Sequence, residues 1–236
     1  MSVMSLLMTR SCADLRSAWQ SSDFEQLGIS FVRDNSPRAT TGLLIFEGVA
    51  FTYDIQQVPE FRAEKFIFCN ADTNDMQSAI QFDFGPAVAG GGRVPAIVKV
   101  LMRLGEVLGA LFEAKAVFWW PASILSGFAY YTEAVTQYSE DAAFPALVCV
   151  GYDTSKTDLV QTKGLAWLCG QELAFEHAPV TLHAAMRYVV RLVHDLATQG
   201  SINHVTEVQG MMAGEVVVLT PDPDNNVLIA RLLPAA

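Results

Sequence analysis

Two consecutive tryptophans, Trp119 and Trp120, lie just before Ser123 in the run Ala114-Lys-Ala-Val-Phe-Trp-Trp-Pro-Ala-Ser123. On a β-strand Trp119 faces opposite to Phe118 and Trp120, because successive side chains alternate between the two faces. One face is then core, and the other has to be covered by a helix, a partner or a ligand. Burial under helices on both faces is the plainer reading. The other reading is a binding surface, since large rings supply much contact area at low entropy cost. Ser123, just past the strand end, is the serine best placed to act there.

Nucleophilic catalysis needs a base within hydrogen-bond reach of the nucleophile. No GxSxG elbow surrounds Ser123, and no local pattern assigns it a histidine. Cys149 stands in an apolar run, where a thiol is inert. The four histidines are His177, His183, His194 and His204. His183 and His194 share a helix face but stand roughly 16 Å apart along its axis, too far to ligate one ion. Arg187 and Arg191 share that face and oppose a cation. No HExxH, zinc-finger or EF-hand spacing occurs, and the DPDNN run at 222–226 reads as a turn. Gly90-Gly91-Gly92 precedes a helix and could offer N–H groups to an anion. It lacks the Lys-Ser/Thr of a P-loop and the GxGxxG spacing, so a flexible connector over 87–95 is expected. The residues therefore assign no catalytic set, no metal and no cofactor.

The elements that must position these residues follow from periodicity and caps. Ser11-Cys-Ala-Asp14 resembles a capping box and opens a helix carrying Leu15 and Trp19. Residues 33–41 read as a polar loop. Two strands flank Glu47-Gly48 within 42–57, and further strands are predicted over 65–70 and 79–85. In the helix expected over 94–113, Lys99, Arg103, Glu106 and Glu113 fall on one stripe about 80° wide. The rest of that helix is apolar, Ala or Gly, which places it between a sheet and another element or in a subunit interface. A strand over 114–122, a helix over 126–140, a buried strand over 145–152 and an extended segment over 165–176 follow. Pro179 opens a helix that ends near Gly200. A hairpin, 215–220 with 227–233, closes the chain about a turn at 221–226. Strand clusters separated by helices predict an α+β fold, with an antiparallel or mixed sheet and helices packed against it. A single domain over 1–236 is expected, with a helical arm and loop over 1–41. No internal sequence repeat stands out, although the order leaves room for two similar β-α halves.

The chain has 236 residues, half of them hydrophobic and only 17% charged, which excludes disorder and permits a large core. Fifteen bases against 25 acids give a formal charge of −10, which argues against electrostatic binding of nucleic acid. From His194 onward five acids face one base, Arg231, an imbalance that a solvated surface explains more simply than a basic partner. The four cysteines form no CxxC pair and are expected as free thiols in a reducing compartment. No apolar run is long enough to span a membrane, and the first ten residues lack the pattern of a secretory signal. The cytoplasm is the expected compartment.

From about Val94 to Leu233 the order of motifs resembles the bacterial family catalogued as domain of unknown function 4261. The residues that carry the likeness are Ala114–Ser123, then Pro145-Ala-Leu-Val-Cys-Val, then Thr162-Lys-Gly164-Leu165 with Glu172-Leu173, and last the closing helix, Gly200 and the hairpin. Cys169 and Ala174 depart from the pattern. The resemblance implies a fold and no activity. It adds Thr162, Gly164 and Glu172 to Trp119, Trp120 and Ser123 as candidate binding residues: a hydroxyl, a close backbone approach and a charge. The expected function is a non-catalytic binding or protein-interaction module with an unknown partner. The alternatives are a small-molecule hydrolase or transferase using a Ser or Cys nucleophile, and a structural homo-oligomer.

Overall fold

The computed structural model describes residues 2–32, 39–140, 143–178 and 180–233. They form two compact units, Met1–Ala143 and Phe144–Ala236, at a boundary where the sequence shows no linker. Each unit has its own mixed sheet with helices against it, an α+β architecture throughout. No helix among the described residues is long and apolar enough to cross a membrane.

In the first unit the elements are β1 (Met4–Met8), α1 (Cys12–Ser21), β2 (Ile29–Phe31), β3 (Thr41–Phe46), β4 (Val49–Gln57), β5 (Lys65–Ile67), β6 (Ser78–Phe84), α2 (Pro95–Leu111), β7 (Ala116–Trp119), β8 (Ile124–Gly127) and α3 (Phe128–Ser139). The eight strands lie in the order β2-β3-β4-β6-β1-β7-β8-β5, and β5 pairs with β8 in parallel while the other neighbours are antiparallel. The N-terminal segment, to which no element was assigned above, is thus an inner strand. Leu6 stands opposite Ile80 on β6 and Val117 on β7. All five residues of β1 are buried; four are apolar, and the fifth, Ser5, accepts the Trp120 indole N–H.

Alternation along β1 separates two covers. Met4 touches Tyr131 of α3 on the helical side. Leu7 joins Met76, Ala79, Ala116, Phe118 and Leu125 on the other side, where Val58, Phe61, Ala63, Cys69, Ala71 and Trp120 pack over them. That second cover is chain from 58 to 76, irregular apart from β5 and a 3-10 turn at Thr73–Asp75, rather than an α-helix. α1 is capped as expected, with Ser11 Oγ accepting from the Asp14 N–H at 3.2 Å. Its Trp19 ring packs on Phe24, Tyr53 and Phe112 at centroid separations of 4.6, 4.7 and 5.6 Å.

The apolar helix α2 is covered within its own unit by β1, β4 and α3, so a subunit interface is not needed to account for it. Its polar stripe is also engaged. Arg103 pairs with Glu47 at 2.7 Å, Glu106 accepts from the Thr136 hydroxyl at 2.9 Å, and Lys99 lies 5.2 Å from the Tyr138 ring centroid. The glycine-rich stretch before α2 is compact, not slack. It forms two short 3-10 turns, and a Cβ at buried Gly91 would meet Ile97 Cγ2 at 2.8 Å. The helix expected over 126–140 begins two residues later because Ser126 belongs to β8.

The second unit comprises α4 (Ala146–Cys149), β9 (Gly151–Asp153), β10 (Leu159–Lys163), α5 (Leu165–Cys169), β11 (Glu172–Glu176), α6 (Leu182–Gln199), β12 (Thr206–Gln209), β13 (Val216–Pro221) and β14 (Val227–Leu233). The sheet order is β12-β13-β14-β11-β10-β9, with β11 and β14 parallel. Two expectations are corrected here. The buried strand over 145–152 is a short helix followed by a three-residue strand, because a brief apolar run packs equally well in either form. The extended segment over 165–176 divides into α5 and β11, with Gly164 and Gly170 at φ of 89° and 97° bounding the helix. α6 starts from a Thr181 cap and ends at Gly200. Pro179 and residues 33–38 of the polar loop lie outside the described residues.

Candidate functional site

The six sequence candidates fall into two groups, one in each unit. In the first unit Trp119 is 1% exposed. Trp120 is half-buried, with its indole N–H donating to Ser5 Oγ at 2.8 Å and its ring edge-on to Phe118 at 4.7 Å. Ser123 sits in the left-handed region at φ 54° and closes the 3-10 turn 120–122. Its carbonyl accepts the Glu64 N–H at 2.9 Å, which ties the irregular cover to the end of the sheet. Trp119 is therefore core, while Trp120 is only partly covered, packing with residues 58–76.

In the second unit Thr162, Gly164 and Glu172 do come together. The Thr162 hydroxyl donates to Glu172 Oε2 at 2.7 Å. The Gly164 and Ala166 N–H groups donate to Oε1 at 2.8 and 3.1 Å, and the Leu165 N–H to Oε2 at 3.2 Å. Thr162 Oγ1 in turn accepts the Leu173 N–H at 2.7 Å. A carboxylate between β10 and β11 thus holds the entry of α5, whose first N–H groups have no partner inside the helix. Four donors from the same unit occupy its oxygens.

All four histidines lie beyond residue 143, so none shares the unit of Ser123, Cys12 or Cys69. His194 Nδ1 accepts the Phe144 N–H at 2.9 Å, and His177 Nδ1 lies 3.2 Å from the Val180 carbonyl oxygen. Cys149 is fully enclosed, and burial pushes its thiol far above the ordinary cysteine range. Cys169, also buried, donates to the Gln171 carbonyl at 3.3 Å. Among the described residues no three His, Cys, Asp or Glu side chains gather to hold a metal ion.

The aromatics most exposed to solvent are ones the candidate set omitted. Phe66 is 60% and Phe68 73% exposed. Phe68 packs on Tyr130 of α3 at 4.7 Å and carries φ 44°, a left-handed backbone that bulky residues rarely adopt. Phe66 is the middle residue of β5, the last strand of its sheet, and Phe68 lies just past it. Beside it an open hollow of ≈ 390 Å³ is lined by Pro59, Phe61, Arg62, Ala63 and Phe66 among others. The run Lys65-Phe-Ile-Phe-Cys-Asn70 carried one usable signal, apolar residues on both faces of a short strand. Only the sheet order shows which of them lies outside. No family model, curated protein or solved structure matches the chain.

Proposed function

We propose that the chain is a non-catalytic protein-interaction module that meets its partner through Phe66, Phe68 and Tyr130 at the β5 edge. The observation that carries this reading is the exposure of two phenylalanine rings beside a sheet edge at which, among the described residues, no further strand pairs. Apolar rings gain free energy by leaving water, and an edge strand offers backbone groups to an added chain. The neighbouring hollow is wide enough to accept a side chain of such a chain. The reading also gains support from the burial of Cys149 and Cys169. Replacing both rings, Phe66→Ala with Phe68→Ala, is expected to leave the circular-dichroism spectrum unchanged. It should remove proteins that the tagged wild-type chain retains from an extract of its own cells. Identical capture by both forms would sink the proposal. So would hydrolysis of an activated ester by the wild-type chain that Ser123→Ala abolishes.

A further inference from the structure

We propose that Met212, with Met211 beside it, is a methionine-oxidation site at the tip of the β12–β13 hairpin. A hydroperoxide converts the thioether to a sulfoxide, a thiol-dependent reductase restores it, and the fold is kept in both states. This site lies in the second unit and is independent of the Phe66 patch. Local backbone bonding turns the side chains outward. The Gly210 N–H donates to the Glu215 carbonyl at 2.8 Å, and the Glu215 N–H donates to the Met212 carbonyl at 3.2 Å. The Met212 N–H in turn donates to the Glu215 carboxylate at 2.9 Å. That carboxylate also accepts the Tyr188 hydroxyl, and the Gly210 carbonyl accepts from Arg191 at 3.1 Å. A side chain at Gly210 would collide with Glu215. Both backbone groups of Met212 thus face Glu215, and α6 holds the tip through Tyr188 and Arg191. The side chains of Met211 and Met212 are left to solvent, 41% and 67% exposed.

Exposure separates these two sulfurs from the others. Among the described residues Met4, Met8 and Met102 are fully enclosed, Met76 is buried and Met186 is half-buried. The thiols are also less open, with Cys149 and Cys169 buried and Cys12 and Cys69 partly covered. Oxygen transfer needs a clear approach to sulfur. A lone pair on Sδ attacks one oxygen of hydrogen peroxide, and the S–O bond forms as the O–O bond breaks. The second oxygen takes up the proton of the first and leaves as water. Sulfur is oxidised by one electron pair, and the peroxide is reduced by the same pair. The product is polar, so at Met8 or Met102 its oxygen would be cut off from water, a cost that the tip avoids. The bonds that hold the tip run through backbone groups and the Glu215, Tyr188 and Arg191 side chains, and neither sulfur takes part in them. Oxidation therefore turns an apolar tip into a polar one and leaves the hairpin in place. In the reverse step the oxygen leaves as water while two thiols of the reductase become a disulfide.

The test treats the full chain with hydrogen peroxide at neutral pH, stops the reaction with catalase at intervals and reads each methionine by mass spectrometry of its peptides. Met212 is expected to gain oxygen first and Met211 next. Met4, Met8 and Met102 react only when the first unit opens, and should lag by at least roughly a hundredfold. The melting temperature should not move once Met212 has been converted. Methionine sulfoxide reductases for both sulfoxide epimers, supplied with dithiothreitol, should return Met212 to the thioether. In Met212→Leu, Met211 is expected to become the first site. The proposal is overturned if Met212 oxidises no faster than Met102, or if the melting temperature falls in step with its conversion. It is also overturned if the reductases leave the sulfoxide of the folded chain untouched.

Discussion

Glu172 lies eight and ten residues from the groups it binds, Gly164 and Thr162, and reaches them only because Gln161 of β10 pairs with Ala174 of β11. Its removal strands three backbone N–H groups and a hydroxyl in a part-buried site. Glu172→Ala is therefore expected to cost about 3 kcal/mol, read from urea unfolding, and Glu172→Gln clearly less because one acceptor oxygen remains. A second carboxylate makes a prediction about pH. The Arg231 guanidinium hydrogen-bonds Glu176 at 2.6 and 2.9 Å and holds its carboxyl below the usual range. A group with a lowered folded pKa stabilises above its unfolded pKa and loses that contribution as pH falls through the folded value. The stability difference between wild type and Arg231→Gln should accordingly be present at neutral pH and vanish in acid, below the ordinary glutamate range. The pair is more than a third exposed, so the difference is small and shrinks with added salt. The family resemblance named Thr162, Gly164 and Glu172 together, but not that the chain itself fills the carboxylate. That depends on strand pairing, which spacing alone does not reveal.

Elements with strong local signals were legible before the structure. The Ser11 cap, the turn at Glu47-Gly48 with both residues at positive φ, and the closing hairpin all form where the residues predict them. What escaped were short apolar runs, β1 and α4 among them. Such runs carry no polar positions from which a period can be read, and their form is decided by neighbours distant in sequence. The Phe66–Phe68 segment shows the same dependence. Its carbonyl at Phe68 lies so close to Gly127 that a Cβ there would collide with it. Gly127→Ala should force β8 and the β5 end apart and cost about 3 kcal/mol, a typical penalty for overpacking against backbone. A matching drop in urea midpoint would confirm the close approach. An unchanged midpoint would mean that the Phe68 turn gives way freely.

At the scale of the molecule, each unit has a core of its own. Leu6, Ile80, Val117 and Leu125 are enclosed in the first, and Leu173, Phe175, Val189 and Leu228 in the second. Fragments 1–143 and 144–236, produced separately, are therefore each expected to show one cooperative transition by scanning calorimetry. A fragment that melts without a heat-absorption peak would show that its core is incomplete alone. The inner position of β1 carries a further consequence, for the order of events during synthesis. Its two partners are residues 78–84 and 116–119, so its sheet contacts span some of the longest separations in the unit. Contacts of that kind slow folding. At a translation rate of about 10 residues per second, Met4–Met8 waits on the order of ten seconds before β7 has been made. Throughout that time a pentapeptide with four apolar residues sits in the nascent chain with an open edge on at least one side. The first strand of this unit to be made is among the last to be enclosed.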